Sequence, residues 1–179
     1  MAGGPSASRK EGVSGMSVNY CPISSVLGFV LSRDRKQVLM VHRVGRKGDE
    51  QFGKYNGLGG HMERNEDLAA ALVREIREES GLECRKLQFR GSVNWTGFGP
   101  KGEDWMGYIF LVEEWEGEPA TVNEEGPLEW VDIDRLGELP MWEGDRYFLP
   151  LVFDGDPRPF HGYLPYEDGR PVGWSFTRM

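Results

Sequence analysis

Between Tyr55 and Leu82 the chain reads YNGLGGHMERNEDLAAALVREIREESGL, and three glutamates, Glu75, Glu78 and Glu79, fall within five residues. The spacing predicts a helix over Asp67–Ser80, with Gly81 as its stop. At 3.6 residues per turn, Leu68, Leu72 and Ile76 recur at i, i+4 and i+8 and form an apolar stripe. Glu75, Glu78 and Glu79 stand at i, i+3 and i+4 and project from a neighbouring face, beside the stripe rather than opposite it. Like charges so placed cost roughly a few tenths of a kcal/mol on an exposed helix. A hard cation reverses that sign, and carboxylate oxygens are the ligands magnesium prefers. Most acidic runs on helices are solvated faces, so the spacing alone leaves both readings open.

The rest of the chain decides what such a helix can belong to. Its 179 residues fit one domain, and a composition 39% hydrophobic and 12% aromatic is enough for a packed core. The net charge of −8 argues against a broad nucleic-acid-binding face, which needs basic clusters. It does not forbid a phosphate-bearing substrate that arrives with a divalent cation. No apolar run approaches the roughly 20 residues that span a bilayer, and the N-terminus has no apolar signal-peptide core. Cys21 and Cys84 fit no CxxC spacing and read as reduced thiols. These features predict a soluble, cytoplasmic protein.

Residues 1–19 are small, polar and glycine-rich and are expected to form a flexible tail, with the folded domain over 20–179. The runs 23–32 and 37–43 read as two strands of a hairpin turned by RDRK. VGRKGDEQFGKYNGLGG is expected to be a long glycine-punctuated loop. Residues 86–95 and 105–115 read as strands around the turn TGFGPKGED, and 128–133 as a short strand. Residues 142–153 hold a short helix limited or kinked by Pro150. PFHGYLPY and VGWSF form a final hairpin. The order predicts one α+β domain with a mixed sheet.

The segment Gly60, five residues, Glu66, seven residues, then Arg74-Glu75-Ile76-Arg77-Glu78-Glu79-Ser80-Gly81-Leu82 resembles the signature of the Nudix hydrolases at every fixed position. The resemblance implies an α/β/α sandwich with a catalytic loop-helix-loop. It also implies magnesium or manganese held by Glu75, Glu78 and Glu79 and by the Gly60 carbonyl. Arg74 would orient the carboxylates through charge-assisted hydrogen bonds, and Glu66 would steady the loop. Glu78 or Glu79 is the candidate base. Relatives sometimes use a later loop, which brings in Glu125; it reads either as base and metal ligand or as an exposed loop acid. Arg43, at the end of the second strand, reads either as a phosphate partner or as a surface charge.

Two further stretches, KYNGLGGH and LPMWEGDRYFLPLVFDGDPRPFHGYLPY, are similar to the Nudix branch that hydrolyses oxidised purine nucleoside triphosphates. By position, Asn56 would hydrogen-bond the purine edge, Trp142 would stack on the base and Asp145 would meet its N–H groups. Trp95 and Trp105 would wall the pocket or, on the blander reading, serve the core. The branch carries two consecutive aspartates where this chain has Gly144-Asp145, so one carboxylate is missing. The expected activity is cleavage of a nucleoside triphosphate, an oxidised purine above all, to monophosphate and pyrophosphate, as in nucleotide-pool sanitation. The competing substrates are dinucleoside polyphosphates, nucleotide sugars and RNA 5′ ends. A catalytically silent binding module is the alternative from another class. Neither a membrane nor a stable nucleic-acid partner is expected.

Overall fold

The computed structural model describes residues 19–48 and 51–179. The expected tail, apart from Asn19, lies outside the described residues. The elements in chain order are β1 (Ile23–Leu31), β2 (Gln37–His42), β3 (Tyr55–Asn56), β4 (Leu58–His61), α1 (Leu68–Ser80), β5 (Glu83–Phe98), β6 (Glu103–Glu116), β7 (Leu128–Asp132), a 3-10 turn (Ile133–Glu138), α2 (Asp145–Phe153), β8 (Phe160–Glu167), β9 (Arg170–Pro171) and β10 (Ser175–Arg178). The main sheet runs β10-β8-β5-β6-β1-β2-β3, with β4 added to β1 and β7 to β2. It is mixed: β1 lies parallel to β6 and β5 parallel to β8, while the other pairs are antiparallel.

Both faces of the central strands are covered, which is why they read as continuous apolar runs rather than as alternating ones. Val30, Leu39 and Val41 point to the α1 side and pack with Leu58, Leu72, Ile76 and Val112. Phe29, Leu31, Val38 and Met40 point to the other side and pack with Phe148, Val152 and Phe160 around α2. The period-2 alternation of strand side chains thus builds two cores from one sheet. The result is the expected α+β sandwich with a mixed sheet.

The expected first hairpin forms, but it is short. Only Val30↔Leu39 and Leu31↔Val38 are in register, because the N-terminal part of β1 pairs with β4 instead, from Ser25↔His61 to Gly28↔Leu58. The glycine-rich stretch expected as one long loop therefore contains two short strands. Gly59 permits this: its φ is +150°, and any Cβ there would collide with the Val26 carbonyl. β5 and β6 extend further than expected, reducing their turn to residues 99–102. The last hairpin is present as β8 paired with β10. No described helix is long and apolar enough to cross a membrane.

Candidate active site

α1 begins at Asp67, whose side chain accepts from the Ala70 N–H at 2.9 Å, and ends at Gly81 in the left-handed conformation, its N–H donating to the Arg77 carbonyl. With both ends fixed, the apolar residues Ala71, Leu72 and Ile76 lock the helix against the sheet. That orientation turns Glu75 and Glu79 toward β4. Gly60 lies so close to Glu75 that a Cβ at residue 60 would stand 2.7 Å from its Oε1 and 2.8 Å from its Oε2. Glu79 reaches across to accept the Gly59 N–H at 3.0 Å.

Arg74 organises the cluster. Its guanidinium meets both oxygens of Glu66, at 3.0 and 2.8 Å, and donates to Glu75 at 2.8 Å, to Glu78 at 3.2 Å and to the His61 carbonyl at 3.0 Å. Glu66 also accepts the Glu63 N–H at 2.6 Å, which ties the loop to the helix. The Arg74 fork, aided by that Glu63 bond, holds the Glu66 carboxyl below the usual range. A lysine could not make this planar two-oxygen contact.

The acids are not equivalent. The Glu75 side chain is 14% exposed and the Glu78 side chain 57%. Glu79 faces β4. Burial first, and then the nearby charges of Glu125 and Glu75, push its pKa up to about 8, against the opposing pull of the Gly59 N–H and Arg43. Glu125, on the loop before β7, comes to the same place from far along the chain and is held by an ion pair with Arg43. Its backbone N–H donates to Asn123 Oδ1 at 2.9 Å, fixing the loop. The structure thus gathers Glu75, Glu79, Glu125 and Arg43 and leaves Glu78 on the rim.

Among the described residues, no three acidic, cysteine or histidine side chains converge closely enough to ligate one ion as they stand. Arginines occupy the carboxylates instead. The donor set still suits a hard divalent cation: the carboxylates of Glu75 and Glu79 lie beside a glycine backbone with no side chain in the way. Loading would require the Arg74 and Arg43 pairs to loosen.

A second cluster is aromatic. Trp95 and Trp105 face each other across β5 and β6. Phe98 lies 6.3 Å from Trp95, 6.4 Å from Trp105, 5.3 Å from Trp142 and 5.0 Å from Tyr166, the last three edge-to-face. Trp95 serves the core as well, lying over Gly107 and 5.9 Å from Phe148. Lys54 Nζ sits 4.2 Å above the Trp142 ring. The two clusters meet at His61, whose ring is 4.9 Å from Trp105 and whose carbonyl is held by Arg74. Trp115, Trp130 and Trp174 lie elsewhere: the first two stack together at 5.8 Å, and Trp174 stacks on Tyr147.

Asn56 on β3 donates to Gln51 at 2.5 Å. The neighbouring Tyr55 N–H bonds the Pro140 carbonyl, which draws β3 to the segment that carries Trp142. Among the described residues, Asn56 Oδ1 and Trp105 Nε1 are buried without a hydrogen-bond partner. Such atoms are rare and mark places where a partner is expected. Asp145, at the start of α2, keeps some accessible surface, yet burial of its carboxyl pushes the pKa up to about 7, against a backbone bond at Trp142 and the Arg146 charge.

Sequence reasoning missed Phe98 and Tyr166. Phe98 lies beyond a register shift between Trp95 and Phe98, so strand alternation could not place it. Tyr166 sits within an expected strand, but nothing local marks it as facing residue 144.

The site is thus an arginine-bound acid cluster on the helix that follows a glycine strand, set on a mixed sheet that carries a helix on each face. Residues 22–152 match the family described as the NUDIX domain, and the chain belongs to the Nudix hydrolases. Over 115 residues, 64% of this chain and 71% of the relative, it is 35% identical to the oxidized purine nucleoside triphosphate hydrolase of Danio rerio. Over 148 residues, 80% of this chain and 87% of the relative, it is 30% identical to the Nudix hydrolase YvcI of Bacillus subtilis strain 168. A MutT protein from Bacillus halodurans superposes with a TM-score of 0.72 at 26% identity, covering 86% of this chain and 97% of that one. Nudix enzymes generally use divalent cations such as magnesium.

Proposed function

We propose that the protein hydrolyses a purine nucleoside triphosphate, an oxidised purine in particular, to the monophosphate and pyrophosphate, with magnesium or manganese at the acid cluster. The observation that carries this reading is the continuity of the two clusters. His61 joins the Arg74-bound carboxylates of α1 to the aromatic cluster through Trp105, whose Nε1 is a buried donor, while β3 carries a buried acceptor, Asn56 Oδ1. A nucleotide has the same division, a charged end and a flat polar base. The similarity to the Danio rerio enzyme, whose name gives that substrate class, supports it.

A divalent cation, when bound, neutralises the pyrophosphate and lowers the pKa of water. Glu75, Glu78 and Glu79, the Gly60 carbonyl and Glu125 are the proposed ligands. Arg74 holds the carboxylates in place, and Arg43 offers its charge to a phosphate. Glu79 and Glu125 are the candidate proton acceptors. At the other end, the base stacks on the Trp142 face that Lys54 leaves open, Asn56 and Asp145 read its edge, and Trp95 and Trp105 exclude water.

The test is product-resolved hydrolysis, with magnesium, of 8-oxo-dGTP, dGTP, dATP, dCTP, diadenosine tetraphosphate and ADP-ribose. Turnover of purine triphosphates to monophosphate and pyrophosphate, reduced at least about a hundredfold by Glu79→Gln, is the expected result. Cleavage restricted to the two-headed substrates overturns the base assignment.

A further inference from the structure

Gly144 is buried and has φ −66° and ψ −27°, ordinary helical backbone that any residue adopts. Its identity is therefore dictated by space. A Cβ at residue 144 would lie 2.9 Å from Leu164 Cδ2 and 3.1 Å from Tyr166 Cζ, and it would overlap Tyr166 Oη outright. The phenol of Tyr166 fills the volume that a side chain at 144 would take. It arrives from β8, and its ring is held edge-to-face by Phe98, which also touches Trp142.

We propose that Tyr166 is a specificity-determining residue whose hydroxyl stands in for a side chain at 144 and gives the base slot a neutral hydrogen-bonding group beside Asp145. The inference rests on the proposed reading of Trp142 and Asp145 as the base slot. Tyr166 as a residue is only 6% exposed. Burial, followed by the charges of Asp145 and Glu143, raises its pKa, so it keeps its proton across the working range while the Gly144 backbone acts weakly against this. With the Gly144 backbone already bonded to its oxygen, the phenol offers its O–H donor to a base edge. The slot then carries one ionisable group, Asp145, and one that does not titrate.

Tyr166→Phe tests this with little disturbance, since the ring and its Phe98 contact remain. Steady-state kinetics on dGTP, 8-oxo-dGTP and dCTP should show the purine-over-pyrimidine ratio of kcat/KM falling about tenfold, mainly through KM. Urea unfolding supplies a second readout. Gly144→Ala should destabilise the parent strongly and the Tyr166→Phe background less, because the overlapping oxygen is gone. A parent that prefers purines and a Tyr166→Phe variant that keeps the full preference would overturn the inference while leaving the proposed function intact. A parent with no base preference overturns both. Equal Gly144→Ala costs in the two backgrounds would refute the steric exchange itself.

Discussion

Asp145 and Glu79 are both raised toward neutrality first by burial, but only Glu79 has neighbouring acids, Glu125 and Glu75, that add to the rise. Glu79 has other acids beside it, so a cation is its natural partner. Asp145 is raised chiefly by burial, to about 7, so its neutral form is the one the fold accommodates. Because the folded-state value lies above the unfolded one, its contribution to stability is complete below the ordinary aspartate pKa and is lost as pH rises through about 7. Urea unfolding at pH 5 and pH 8 should therefore show the parent losing stability relative to Asp145→Asn as pH increases. Parallel profiles would mean that the carboxyl is not buried in solution. If the neutral carboxyl donates to the base, purine KM should rise over the same range, and Asp145→Asn should remove the step.

At the scale of elements, α2 depends on a side chain that no motif marked. Arg90 on β5 is 1% exposed and donates to the carbonyls of Val152 at 2.8 Å, Leu151 at 3.0 Å and Asp156 at 2.7 Å, and to Asp154 at 3.1 Å. It closes the C-terminal end of the helix that begins at Asp145, where carbonyls lack partners and positive charge is favoured. Arg90→Met should cost about 3 kcal/mol in chemical denaturation, because the carbonyls and Asp154 lose their donor inside the protein. A cost under about 1 kcal/mol would show that water replaces the guanidinium. Elements like α1 were legible from local rules: a helical span opening at Asp67, an apolar period through Leu72 and Ile76, and Gly81 as stop. β3 and β4 were not, because strands of two and four residues exist only through pairing with β2 and β1, far away in sequence.

At the scale of the whole molecule, the sheet brings Arg43 and Glu125 to the acids of α1 and sets Phe98 between Trp142 and Tyr166. The glutamates of the α1 segment could be read from spacing, since three to four residues of helix fix their neighbours. That Glu78 stays on the rim while Glu125 takes a place inside depends on how the loop before β7 folds back, which no local pattern encodes. Likewise Trp95, Trp105 and Trp142 were readable as candidates, but Phe98, which joins them, became visible only with the register shift in β5. On the proposed reading, the acids of α1 form an ion site rather than a solvated face. Manganese binding, followed by electron paramagnetic resonance on the parent, Glu75→Gln and Glu79→Gln, tests it without relying on turnover. A bound ion is expected in the parent, weakened at least about tenfold in each variant. Equal binding by all three proteins, or none by the parent in the presence of nucleotide, would contradict it.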